Sequence, residues 1–217
     1  MPDFELATWQ MVNLVVSPRK LYRQVYYHKQ TKNTWARDDP AVLILLVSGL
    51  GFAGILWGFA YSSGPFGTLW QVVTMVLRDF LLVGVLSATG LWFLSNSFLA
   101  APSSILTTEQ KVEWAYAFDV HCNGFFPILL ALYYVQLVLK PILLRGNWIC
   151  LLLGNTLYLA AFGQYWYVTY LGYNALPFLQ RTELLLFPVL LLICFYIVSL
   201  LGFNCTRHFL SAYFGSV

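Results

Sequence analysis

The chain has 217 residues, of which 59% are apolar and only 10% charged, against about 25% charged in an ordinary soluble domain. So few charges cannot cover a soluble globule of this size, which argues against a disordered tail, a nucleic-acid platform and a secreted disulfide scaffold, and for a polytopic membrane protein. The net charge of +3 is small, yet half of the twelve basic residues fall in the first 40 positions: Arg19, Lys20, Arg23, Lys29, Lys32 and Arg37.

Residues 1–40 read as a cytosolic, basic, amphipathic arm. Over 4–16, helical spacing places Phe4, Trp9, Val12 and Val16 near one face. Ser17-Pro18 then opens a second helix running from Arg19 to Lys32, with Leu21, Tyr22, Val25 and Tyr26 apolar and the cations largely opposite. Such a helix lies in the membrane interface, aromatics among the headgroups and cations toward anionic lipid. A plain positive flank before a first span has the same charge pattern, so both readings stand. Arg19, Lys20, Arg23, Lys29, Lys32, Trp35 and Arg37 are the candidate contacts to a membrane surface or a protein partner.

A crossing helix needs about 20 apolar residues. Ala41–Tyr61 supplies the first span, with Asp39 as its N-cap and Pro40 at the first helical position. The next spans are expected at 80–98, with a start as early as Leu69 left open, at 119–139 ended by Lys140-Pro141, at 148–171 and at 184–203. The fold class is therefore all-α: a five-helix bundle over 41–203, preceded by the arm and followed by a short tail, 204–217. Basic residues set the orientation. With a cytosolic N-terminus the cytosolic segments hold eight Lys and Arg against three opposite, Arg78 being left out because it lies inside or at the edge of the second span. The tail is then luminal, and the first span is expected to act as an uncleaved signal anchor. Cys122, Cys150, Cys194 and Cys205 form no CxxC pair and mostly sit in apolar runs, which fits reduced thiols.

Polar groups at membrane depth usually face a bundle interior. Arg78-Asp79 is one such pair, although neighbours on a helix point about 100° apart, which leaves Arg78 free to snorkel while Asp79 faces protein. Asp119 and Asn123 share a helix face and His121 points elsewhere. With Asn155 and Gln164 in the following span, these residues and Asp79 form a candidate intramembrane polar seam. Asp119, His121 and Cys122 scatter around their helix rather than converge, so no metal site is expected. Nor is a nucleophile with its base visible, so no catalytic residue and no cofactor are expected. Gly54 and Gly58, with Gly51 nearby, are small residues spaced for close helix approach.

Three stretches together resemble a known family: TKNTWARDDP at 31–40, EWAYAFDVHCN at 113–123, and GNTL at 154–157 continuing to YVTYLGYNALPFL at 167–179. In order and spacing from about Ser17 onward, the chain is similar to the uncoordinated-fifty (Unc-50) family of Golgi membrane proteins. The resemblance implies a five-span protein of the Golgi or early secretory pathway with a cytosolic N-terminus. It also implies a non-enzymatic role in vesicle-mediated protein transport, with recruitment of large Sec7-domain exchange factors for Arf GTPases and surface delivery of receptors. Nucleic acid is not an expected partner, because the arm is short and holds no recognisable RNA module. Two other readings stay open: a lipid-handling protein working through the polar seam, and a chaperone-like factor holding unassembled receptor helices.

Overall fold

The computed structural model describes residues 2–23, 34–101 and 110–215. Its helices are α1 (Phe4–Val16), α2 (Ala41–Ala60), α3 (Gly64–Leu99), α4 (Trp114–Leu143), α5 (Trp148–Asn174), α6 (Thr182–Ser199) and α7 (Cys205–Phe214); residues 18–23 are helical as well. Four of them, α2, α3, α4 and α6, are long and apolar enough to cross a membrane. The expected fifth span, α5, is 27 residues long but carries Asn155, Gln164 and five tyrosines.

Several boundaries differ from expectation for local reasons. Asp39 is not the N-cap of α2, a position that Pro40 takes, although its Oδ1 accepts from the Ala41 N–H at 2.9 Å. The helix thus starts one residue late. The second span begins at Gly64 rather than near residue 80. Gly64 at φ +68° makes the turn, and Pro65 in the first turn needs no N–H partner. Lys140-Pro141 does not end α4, which runs on to Leu143. A last-turn proline removes one hydrogen bond only, and the Lys140 ammonium, 3.4 Å from the centre of the Tyr61 ring, also donates to the Ala60 carbonyl at 3.1 Å. Residues 205–214, expected as a plain tail, form α7, which buries Cys205, Thr206 and Leu210 against the bundle.

Close approach sets the packing. A Cβ on Gly54 would stand 2.8 Å from the Val72 Cα, and one on Gly58 would collide with Thr68, so α2 and α3 meet through those two glycines as expected. Gly51, by contrast, faces open space. Helix α4 lies between α3 and α5: Gly84 of α3 receives His121, and Gly172 of α5 receives Val120. Cys122, Cys150 and Cys205 are buried, Cys194 is exposed, and none is in a disulfide.

At one end of the bundle, segments 34–40, 99–101, 110–113 and 174–181 are joined. Leu99 and Phe178 bind the neighbouring strand of chain through Gln180 N–H to the Leu99 carbonyl, 2.7 Å, and Ala101 N–H to the Phe178 carbonyl, 2.9 Å. Asn96 brackets Val112, accepting from its N–H at 2.8 Å and donating to its carbonyl at 3.1 Å. Trp35 seats between Tyr116 and Phe178, with ring centres 6.4 and 6.1 Å away.

Candidate functional site: the arm clamp and the divided polar seam

Residues 34–39 run along the start of α4 and spend their backbone donors on its carboxylates. Glu113, the residue flanking α4, accepts from the Trp35 and Ala36 N–H groups, each at 3.4 Å. Asp119 accepts from the Arg37 N–H at 2.6 Å. The Arg37 side chain then turns inward. Its guanidinium donates to Asn123 Oδ1, to Gln10 of α1 at 3.2 Å and to the Asp119 carbonyl at 3.4 Å, with Nε 4.0 Å from the Asp119 carboxylate. Asn123 in turn donates to the Tyr22 hydroxyl at 3.3 Å. Burial holds the Tyr22 phenol well above its ordinary range, so it stays neutral.

Two further contacts seat α1. Asp39 Oδ2 accepts from the Asp3 N–H at 2.7 Å, and the Asp3 side chain caps α1 by accepting from Leu6 N–H at 2.9 Å. The Asp39 carboxyl is consequently held below the usual carboxylate range, first by the Asp3 N–H and then by that of Ala41. Ala7, Met11 and Leu14 of α1 face the bundle, while Phe4, Trp9, Val12 and Val16 face outward. The stripe singled out in the sequence is thus the outer face, and a second apolar row does the docking.

The seam candidates do not form one line. Asp119 and Asn123 meet at the clamp. On α4 the His121 Nδ1 meets the hydroxyls of Ser87 at 3.1 Å and Tyr165 at 3.0 Å. Asp79 lies apart: it accepts from Arg78 Nε at 2.7 Å, Tyr133 at 2.9 Å and Tyr213 at 2.8 Å. The adjacent pair does join, because a long arginine within the π-helical stretch Thr74–Leu82 reaches round; Arg78 is nonetheless 54% exposed and Asp79 only 15%. Asn155 ties α5 to the far end of α6 and the start of α7, donating to Ser199 and to the Phe203 carbonyl, both at 2.8 Å, and accepting from the Cys205 N–H at 2.9 Å. Gln164 donates to the Leu14 carbonyl of α1 at 3.2 Å.

Of the candidate surface contacts, Trp35 is 5% exposed and Arg37 is turned into the clamp. Arg19 donates to the Tyr167 hydroxyl at 3.0 Å. Lys20 and Arg23 are exposed; Lys29 and Lys32, with the Val25 and Tyr26 stretch, lie outside the described residues. Sequence reasoning missed Gln10, Tyr22, Ser87, Tyr133, Tyr165 and Tyr213. Each is a neutral residue whose partner is far away in the chain, so no local pattern marks it. No group of three or more His, Cys, Asp or Glu converges as a metal site among the described residues.

The chain matches the model of the UNC-50 family over residues 1–214. It belongs to the UNC-50 family. It is 47% identical to the human protein unc-50 homolog over 97% of this chain and 81% of the relative. The Dictyostelium discoideum unc-50 homolog is 44% identical over 98% and 82%, and the Schizosaccharomyces pombe GMH1 homolog 40% identical over 98% and 92%. No solved structure matches this UNC-50 chain.

Proposed function

We propose that this UNC-50 family member is a non-enzymatic Golgi membrane adaptor in vesicular protein trafficking. In this reading it recruits or anchors a large Sec7-domain exchange factor for Arf GTPases and supports surface delivery of receptors. The N-terminus is cytosolic, the five-helix bundle spans the membrane and α7 lies on the luminal side.

The observation that carries the reading is the arm clamp. An arm serving only as a positive flank before the first span needs no guanidinium turned into the bundle, nor Glu113 on its backbone. Here the clamp, the Trp35–Phe178 contact and the paired loops 99–101 and 178–180 make a single rigid end from segments that the charge count assigns to the cytosol. A preformed face spares a partner the ordering entropy of a free arm. Arg19, Lys20 and Arg23 beside it add attraction to anionic lipid, so that membrane and adaptor together hold the partner.

The test is made in cells lacking the native protein. One variant neutralises Arg19, Lys20, Arg23, Lys29 and Lys32; another replaces Arg37 by Met. The readout is exchange-factor density on Golgi membranes, corrected for the abundance of each variant. Loss with both supports the docking face. Unchanged recruitment with both removes the arm from the mechanism.

A further inference from the structure

A cavity of about 710 Å³ runs between α3 and α5, within the range of about 300–1,000 Å³ typical of ligand sites. Helix α4 is its floor, through Phe125, Ile128 and Leu132. Val83 and Leu91 of α3 face Phe162 and Trp166 of α5 across it, and Phe209 and Leu210 of α7 close one end. Its rim is open at the half-exposed Val83, Leu94 and Phe209.

Such a space does not stay empty. Apolar walls without neighbours lose dispersion contacts, which a chain lying in the open groove restores. Water finds few partners along these walls. Both α3 and α4 are long and apolar enough to cross a bilayer, so hydrocarbon is the medium at the open side.

Two adjacent charged residues line the groove. Arg78 lines the cavity beside Asp79, which is already satisfied by three donors. The Arg78 guanidinium carries five N–H donors, of which Nε is committed to Asp79; it lies 4.7 Å over the Tyr213 ring and remains half exposed. A planar, fixed guanidinium with donors to spare is a phosphate partner.

We propose that the groove between α3 and α5 is a phospholipid site, with one acyl tail along the α4 floor and the phosphate on Arg78. The site stands independently of the docking face, which lies around Arg37 and Trp35. Asp79 does not meet the headgroup. It braces Arg78 through Tyr133 and Tyr213, so α7, which brings Tyr213, sets the position of the phosphate-binding group. Because α7 is anchored by Asn155 at its other end, the lipid site depends on the C-terminal helix staying docked.

Gly90 offers a clean test, since it lines the groove and a Cβ there meets nothing within 4 Å. The full chain in nanodiscs is exposed to a phospholipid carrying a photoactivatable group in its acyl tail, and labelled peptides are mapped. Labels are expected on Leu91, Leu132 and Phe162. Gly90→Phe should lower that labelling about ten-fold or more, whereas Gly163→Phe, also at an open position but outside the groove, should leave it unchanged. Arg78→Gln should weaken competition by unlabelled phospholipid about ten-fold, the loss of a charge-assisted contact, and should leave competition by a diacylglycerol unchanged. Equal labelling in wild type and Gly90→Phe, or labels confined to the outer faces of α3 and α5, overturns the site. Equal competition by phospholipid and diacylglycerol in wild type overturns the phosphate contact. If Gly90→Phe does not fold, wild-type labelling that excess unlabelled phospholipid fails to suppress overturns the proposal just as well.

Discussion

Replacing Arg37 by Met tests the clamp directly. The substitution keeps much of the aliphatic stem and the backbone N–H on Asp119, and removes the guanidinium. What is lost is one close charge-assisted hydrogen bond to Asn123, longer ones to Gln10 and the Asp119 carbonyl at 3.2 and 3.4 Å, and an ion pair at 4.0 Å. Hydrogen bonds to charged groups contribute about 1.5–3 kcal/mol each. The ion pair is partly exposed, at 19% and 24%, and so adds little. Counting the Asn123 bond in full and the two long bonds and the ion pair as small gives a loss of about 2–3 kcal/mol in docking of 34–39, or roughly a 30- to 150-fold rise in its open population. Hydrogen exchange of the Trp35, Ala36 and Arg37 amides reads that population. A second substitution, Asn123→Leu, should cost less in the Arg37→Met background than alone, because the two share one contact. Exchange that rises by less than about three-fold, or additive effects of the two substitutions, would refute the clamp as the device that holds the arm.

Three further outcomes follow from other parts of the molecule. Gly54→Val should destabilise the α2–α3 pair by about 1–3 kcal/mol, the cost of overpacking against backbone, while Gly51→Ala should be near neutral; thermal unfolding in detergent compares them. Asn155→Leu strips the Cys205 N–H and the Phe203 carbonyl of their partner, costing about 1–3 kcal/mol, and should expose α7 to proteases before the rest of the chain. Lowering the pH should loosen α1 through Asp39. Its folded pKa is depressed, so its contribution is complete above the unfolded value of about 3.9 and is lost as pH falls through the folded value. Proteolysis of α1 should therefore be flat from neutral pH down to about 5 and rise below about 4, and Asp39→Asn should abolish the pH dependence.

What was legible in the sequence was what lies close together in it. The run Ala41–Ala60 has no charge and no proline, so its length and apolarity identify it. Asp119 and Asn123 fall four apart on α4, and their shared face is real. Their ligand, Arg37, lies 82 and 86 positions away, and no periodicity records that distance. The start of α3 was hidden because Ser62, Ser63, Gly64 and Pro65 look like a loop, while the same residues make a turn and a helix entry. Helix α7 was hidden for the opposite reason. Its ten residues mix Thr, Arg, His and Ser with aromatics, and it is helical because Trp57, Tyr61 and Asp79 receive its end, with Phe214 stacked 5.0 and 4.3 Å from the first two. The seam looked continuous because one-dimensional order lists its members without saying which neighbour each one meets.

Helix α5 has a consequence for biosynthesis. It buries Asn155, Tyr158, Tyr165, Thr169 and Tyr173; of these, Asn155 meets Ser199 of α6, and Tyr158 and Tyr165 meet Gln136 and His121 of α4, so those three find their partners only when α4 and α6 are beside it. A segment of that kind gains little by entering hydrocarbon alone and much by entering with company. The contacts of α5 are complete only once α6 has been made, so its settling against α4 is expected to follow the synthesis of α6. Shortening the chain just after Asn174 would leave Asn155 without its Ser199, Phe203 and Cys205 partners, and α5 without the contacts that hold that end of it.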